Sequence, residues 1–372
     1  MSRIFKIFIA TLLICNLTAC EDETSLQQTE PTNVPECGPQ ICTQGAALRA
    51  VYDGPIAGWP TVQTSEDTPF EEMAPLERPA LSSQDLEVQL GEYLFFDPIL
   101  SDSGQIACAS CHNPDLAFAD GIRSAIGDRR QSGPRNSPTL LDKANQPHFM
   151  WDGSSDSFEH QALLPIENPV EMASDIESVL QRLNADETYR SRFQNAFQTT
   201  QIGISELSSA LSAYQRALTR RSRFDRFLEG ERGRLNDQEV FGLHVFRTSA
   251  RCMTCHSGPR FTDDQFHNIG LHYYGRRFQD LGRYEITNNA EDVGAFRTPS
   301  LRHVSRTAPY MHNGLFPSLA GIVNLYNAGG ARPRPRAEFA DDPLFPETTD
   351  LLSELDLSPE ERAALVAFLE TL

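Results

Sequence analysis

Two pentapeptides place two thiols and an imidazole at positions i, i+3 and i+4: Cys108-Ala109-Ser110-Cys111-His112 and Cys252-Met253-Thr254-Cys255-His256. In a helical turn those positions share one side, so both sulfurs and a ring nitrogen can address one flat ligand without bending the backbone. A C-x-x-C pair alone is compatible with a disulfide hairpin, half of a zinc site or a thioredoxin-like redox pair. Two copies, each closed by a histidine in a chain with a secretory leader, select covalent haem attachment. The thiols add to the vinyl groups of one haem and the histidine ligates its iron. Two haem c groups are expected, one on Cys108, Cys111 and His112 and the other on Cys252, Cys255 and His256.

The elements that position these motifs must come from a chain of 372 residues, long enough for two domains with their own cores. The formal charge of −19, from 32 basic and 51 acidic residues, argues against nucleic acid as a partner. Arg3 and Lys6, the apolar run from Ile4 to Ile14 and Leu17-Thr18-Ala19-Cys20 resemble a lipoprotein leader. On this reading Met1 to Ala19 is removed and Cys20 carries lipid, so the body is periplasmic and meets a membrane only through that anchor. The alternative, an uncleaved anchor, has a short apolar run for a span. Of the eight cysteines, Cys15 leaves with the leader, Cys20 is lipidated and four take haem. Cys37 and Cys42 remain and are expected to form a small disulfide loop.

The expected fold is mainly α: two cytochrome c-type haem domains with long irregular loops. Residues 1–19 are the leader and 20–83 a tether and extended segment. Residues 84–233 form the first haem domain and 234–372 the second. Helical spacing is found from Gln84 to Leu100, Asp175 to Leu183, Glu187 to Ala196 and Ser205 to Leu218. Asn236 or Asp237 caps a helix running to Thr248, and Ser358-Pro359-Glu360-Glu361 opens a final one. Arg216 to Arg234 reads as a link between domains, and no internal repeat is visible beyond the pentapeptides.

From about Leu86 onward the chain resembles the bacterial diheme cytochrome c peroxidase and MauG family. The resemblance rests on Leu94-Phe95-Phe96-Asp97, Arg135-Asn136-Ser137-Pro138-Thr139-Leu140, Trp151-Asp152-Gly153, Asn168-Pro169-Val170-Glu171-Met172, Thr298-Pro299-Ser300-Leu301-Arg302 and Thr307-Ala308-Pro309-Tyr310-Met311-His312-Asn313-Gly314. It implies that the first haem reacts with peroxide under Gln161 and Glu171, a carboxylate supported by an amide being suited to moving a proton between peroxide oxygens. It also implies that Trp151 lies between the haems. Reductively activated members hold a histidine near the position of Asp128, whereas here no histidine occurs between His112 and His148. A first haem ligated only by His112 is therefore expected.

For the second haem the resemblance implies Tyr326 as sixth ligand, with Met311 the rival. Tyrosinate would stabilise ferric and higher states, whereas methionine raises the potential. One Ca²⁺ between the domains is implied at Asn136, Thr307 and Pro309. The implied activity is reduction of hydrogen peroxide with electrons from a small redox protein, a cytochrome c or a cupredoxin. The alternatives are MauG-like oxidation of side chains in a protein substrate, and plain electron transfer, which Gln161 and Glu171 argue against.

Overall fold

The computed structural model describes residues 38–372; the leader, Cys20 and Cys37 lie outside them. The helices are α1 Pro39–Tyr52, α2 Leu86–Phe96, α3 Cys108–Cys111, α4 Phe158–Glu167, α5 Ile176–Ala185, α6 Glu187–Phe197, α7 Ile204–Ala217, α8 Arg223–Leu228, α9 Asp237–Arg247, α10 Tyr284–Thr287, α11 Leu319–Asn327 and α12 Pro359–Leu369. Two short antiparallel strands, β1 (Phe266–His267) and β2 (Phe296–Arg297), pair Phe266 with Arg297 and His267 with Phe296. Among the described residues no helix is long and apolar enough to cross a membrane.

Capping explains where several helices begin. Asp175 accepts from the Ser178 amide at 2.9 Å, and Asp186 from Thr188 at 2.7 Å. Asn236 and Glu239 exchange reciprocal bonds at the start of α9, as do Ser358 and Glu361 at α12. Each such cap is worth about 1 kcal/mol.

Two helix crossings set the architecture. In the first half α2 packs across α7, which also carries α4. In the second half α9 packs across α12, which also carries α11. Both crossings are centred on a glycine. A Cβ on Gly91 would stand 2.0 Å from the Ala210 carbonyl oxygen, and one on Gly242 would stand 1.9 Å from that of Ala364. Each pentapeptide follows the first helix of its crossing, so the structure contains a repeat beyond the pentapeptides. What recurs is a backbone approach that only glycine permits, with a short shared pattern around it, Gly91 followed by Leu94-Phe95 and Gly242 by Val245-Phe246.

One core joins Leu90, Leu94, Ile166, Val179, Leu183, Phe193, Leu207 and Leu211. Another joins Tyr52, Trp59, Phe224, Phe227, Phe246, Phe261 and Phe368. The second core draws on two segments expected to lie outside it. Residues 38–83, expected to run extended, contain α1, which packs on α9. There Arg49 Nε donates to Asp237 at 2.7 Å, and Tyr52 hydrogen-bonds His244 Nδ1 at 3.0 Å. Alanines, glutamines and a glycine dominate α1, so its apolar stripe is faint in sequence; it is held because Gly45 lets it close onto the Asp237 backbone. The expected link Arg216 to Arg234 likewise contains α8, whose Phe224 and Phe227 are fully buried. Asp225 on α8 accepts from Arg302 Nη1 through both oxygens at 2.9 Å. Burial alone would raise its pKa, but the Arg302 guanidinium holds the carboxyl below the usual range.

Gly242→Ala should therefore force α9 and α12 apart, at an overpacking cost of about 1–3 kcal/mol. Thermal unfolding of the holoprotein should show a lower midpoint, whereas alanine at exposed Gly233, which has no neighbour within 4 Å of its Cβ position, should not.

Candidate haem and peroxide site

Both pentapeptides adopt the expected turn. Cys108–Cys111 is helical and Cys252–Thr254 is a 3-10 turn, with the histidine amides bonding to Cys108 O at 3.0 Å and Cys252 O at 2.8 Å. None of these four cysteines is in a disulfide. Cys42 is disulfide-bonded, while its expected partner Cys37 is outside the described residues. The Nδ1 atoms of His112 and His256 meet the carbonyls of Phe118 at 2.9 Å and Phe261 at 3.0 Å. An Nδ1–H that donates to a carbonyl fixes the tautomer and leaves the Nε2 lone pair for a metal. Burial lowers the pKa of both rings, favouring the neutral form that ligates iron.

The residues around His112 are polar and incompletely paired. Helix α4 starts at Ser157, whose hydroxyl accepts from the His160 amide at 3.2 Å, and it carries Gln161. Pro165 and Asn168 then turn the chain back, with the Met172 amide donating to Pro165 O at 3.1 Å and Ala173 to Asn168 O at 2.9 Å. The turn brings Glu171 toward the first pentapeptide: the Cys111 thiol is pushed up to about 11, first by burial and then by the Asp120 and Glu171 carboxylates. Burial raises the Glu171 pKa, opposed by the Asn168 amide that donates to it at 2.8 Å. No hydrogen bond joins Gln161 to Glu171. Gln161 Oε1, Asp120 Oδ2 and Asp128 Oδ2 are buried without a hydrogen-bond partner among the described residues. Asp128 is 1% exposed, and its amide donates to Glu171 O at 2.6 Å. The loop around Asp128 thus backs Glu171 directly.

The second pentapeptide borders a cavity of about 220 Å³ that also exposes Tyr326, Met311, Trp151, Leu319 and Val323. An apolar wall behind two thiols and a ligating nitrogen suits a porphyrin. Tyr326 stands close enough to the cysteines that burial, then Cys255 and Cys252, lift its phenol above the ordinary range. Met311, at φ +69°, borders the same space. Asn136, Thr307 and Pro309, the expected calcium residues, each line this cavity, and Asn136 Nδ2 donates to Ile122 O at 2.9 Å.

Trp151 spans the two halves. Its Nε1 donates to Asn136 O at 2.9 Å, while its carbonyl accepts from the Arg297 amide at 2.9 Å. Beside it Arg135 clamps Asp280 through two 2.8 Å bonds and also pairs with Asp152. Sequence reasoning passed over several of these groups. His312 stacks on Phe296 at 3.6 Å, His303 meets Asp142 at 2.6 Å, and Lys143 and Arg297 line the cavity. The available signal was that His303 follows Pro299 by the same four positions that separate Asp142 from Pro138.

Fold and site define a class: helical proteins built to hold two covalent haems. The comparisons agree. A family model described as di-haem cytochrome c peroxidase matches residues 85–233. The methylamine utilization protein MauG of Methylorubrum extorquens is 40% identical over 290 residues, 77% of this chain and 78% of that protein. Cytochrome-c peroxidase IdrP1 of a Pseudomonas species is 32% identical, covering 82% of this chain and 85% of that protein. The crystal structure of a MauG-like protein associated with microbial copper homeostasis superposes with a TM-score of 0.70 at 31% identity, covering 83% of this chain and 95% of that one. The chain belongs to the bacterial diheme cytochrome c peroxidase and MauG family. It is an oxidoreductase that acts on peroxide and carries two haem c groups.

The Arg135 clamp yields a pH dependence. Burial would raise the Asp280 pKa, but the Arg135 bonds and charge hold it below the usual value of 3.8. The stabilisation is thus complete above that value and is lost as pH falls through the lower folded pKa. Arg135→Met, which strands two carboxylates, should cost about 3–5 kcal/mol, and urea titrations between pH 7 and pH 3 should show a flatter acid limb than the parent.

Proposed function

We propose that the chain reduces hydrogen peroxide at the haem held by Cys108, Cys111 and His112, using electrons from a small redox protein, a cytochrome c or a cupredoxin. The observation that carries this reading is Glu171: a carboxylate with a burial-raised pKa, turned toward the first pentapeptide and mounted on the Asn168 turn. When bound, the haem iron supplies the redox centre at which the O–O bond is cleaved. Glu171 takes a proton from the inner peroxide oxygen and delivers it to the outer one, and Gln161 orients the substrate through its free amide oxygen. Trp151, bonded to both halves, provides the path to the second haem, which is held by Cys252, Cys255 and His256 with Tyr326 as sixth ligand and Met311 as the rival.

The halves 84–233 and 234–372 each carry one haem, a division supported by their separate helix crossings. Asn136, Thr307 and Pro309 hold a calcium ion between them, an assignment supported by their shared position along the cavity. We also place the enzyme in the periplasm, tethered through lipid on Cys20. MauG-like oxidation of a partner protein is a second reading. Asp128 in place of a histidine and Tyr326 beside the haem cysteines favour it.

Peroxide added to the diferric protein should change its optical spectrum without prior reduction; a requirement for half-reduction would overturn the assignment of His112 as the only protein ligand of the first iron. Glu171→Gln should slow peroxide turnover by about 10²–10⁴-fold. It should also remove a limb that rises with pH through a pKa above the ordinary carboxylate range, because Glu171 must be deprotonated to accept a proton. Tyr326→Phe should convert the low-spin spectrum of the second haem, whereas an effect confined to Met311→Leu would reverse the ligand assignment.

A further inference from the structure

Apart from Lys6 in the leader, Lys143 is the sole lysine of the sequence. It is 8% exposed and lines the cavity of the second pentapeptide. That cavity also meets Arg251 and Arg297, but among the described residues no aspartate or glutamate borders it. Arg251 is engaged at the surface, donating to Ser353 Oγ at 2.9 Å. Arg297, 5% exposed, donates to Thr298 O at 3.2 Å and lies 3.7 Å from Asp264. The carboxylates behind Lys143 are already committed. Asp264 pairs with Arg260, while Asp142 bonds His303 Nε2 at 2.6 Å and accepts from the Arg220 amide at 3.3 Å. Among the described residues none forms an ion pair or hydrogen bond with the Lys143 ammonium.

Two neighbouring cations withdrawn from water, with only a share in an Asp264 that Arg260 already engages, are unfavourable unless a ligand brings further negative charge. The strain is visible at Lys143, whose pKa burial and then the Arg297 charge pull down to about 7. Asp142 and Asp264 oppose that fall, and Arg260 adds to it. A haem carries two propionate carboxylates on one edge, and the cavity is lined by two buried cations that feel one another's charge.

We propose that Lys143, with Arg297, receives a propionate of the haem carried by Cys252, Cys255 and His256, and that the Lys143 charge raises the reduction potential of that haem. The proposal rests on the diheme reading of the second pentapeptide. A fixed positive charge near the iron in a low-dielectric site favours the reduced state. Arg297 is tied to the segment that carries Trp151, its amide donating to Trp151 O at 2.9 Å and its Nε to Met150 O at 3.4 Å. Lys143 therefore weighs against storing an oxidising equivalent on the second haem.

The test is a spectroelectrochemical titration of the holoprotein, compared with Lys143→Met and Lys143→Arg, each checked for haem content by pyridine haemochrome. The expected result is a lower midpoint for the second haem in Lys143→Met, an unchanged midpoint for the first, and a value near the parent's in Lys143→Arg. Unaltered potentials in a fully loaded Lys143→Met, or a shift confined to the first haem, would overturn the proposal. A parent with fewer than two haems would instead refute the reading beneath it. Should Lys143→Met fail to load, ¹³C-lysine labelling of the parent decides. Lys143, assigned by its loss in Lys143→Arg, should give a resonance displaced by paramagnetic iron and moved by reduction of the second haem. A resonance at the position of a solvated lysine, unmoved by reduction, would overturn the proposal.

Discussion

The structure depends on two places where helix backbones touch. At Gly91 and Gly242 a helix comes so close to its partner that a single methyl group would overlap a carbonyl oxygen. Such contact fixes crossing angle and register together, since sliding either helix by a residue brings a Cβ into the gap. Each pentapeptide leaves the first helix of its pair, so the crossing also fixes where two sulfurs and an imidazole can stand. The cores of large apolar side chains fill the space around these contacts.

Two similar pentapeptides acquire different surroundings from the segments that succeed them in the chain. Around the first, the turn at Asn168 returns Glu171 and the loop at Asp128 closes behind it, so the site gathers Glu171 and Asp120, whose pKa values burial raises. Around the second, α11 supplies Tyr326 and an apolar wall, and the only charges facing the cavity are cations. A proton-handling site and an electron-holding site call for opposite electrostatics, and the two halves supply them separately. Trp151 belongs to both, tied to Asn136 on one side and Arg297 on the other.

Buried polar contacts join the two halves. Arg135 with Asp280 is an ion pair that crosses between them, as does the hydrogen bond of His303 with Asp142, and Arg302 with Asp225 is a third crossing contact. Such pairs add little net stability over apolar groups of the same shape, but a mispaired register would strand a charge, which is costly. They therefore specify how the halves meet, at the place where an electron has to cross.

The sequence by itself determined the haem chemistry. C-x-x-C-H is a local pattern whose geometry is contained in one turn, and the helices from α5 to α7, α9 and α12 were legible because their caps and apolar spacing are local as well. The motif order likewise pointed to Glu171, Trp151 and Tyr326. Only the tertiary structure decided what depends on contacts between distant segments. It showed α1 in a segment expected to run extended and α8 in a presumed link, since their burial is supplied by partners far away in the chain. It disclosed a repeat that consists of backbone proximity, of which the sequence carries only a glycine and the apolar pair Leu94-Phe95 or Val245-Phe246 after it. It also set Lys143, unremarkable as one letter among 372, against Arg297 in a cavity without a carboxylate, because charge balance is a property of space and not of spacing.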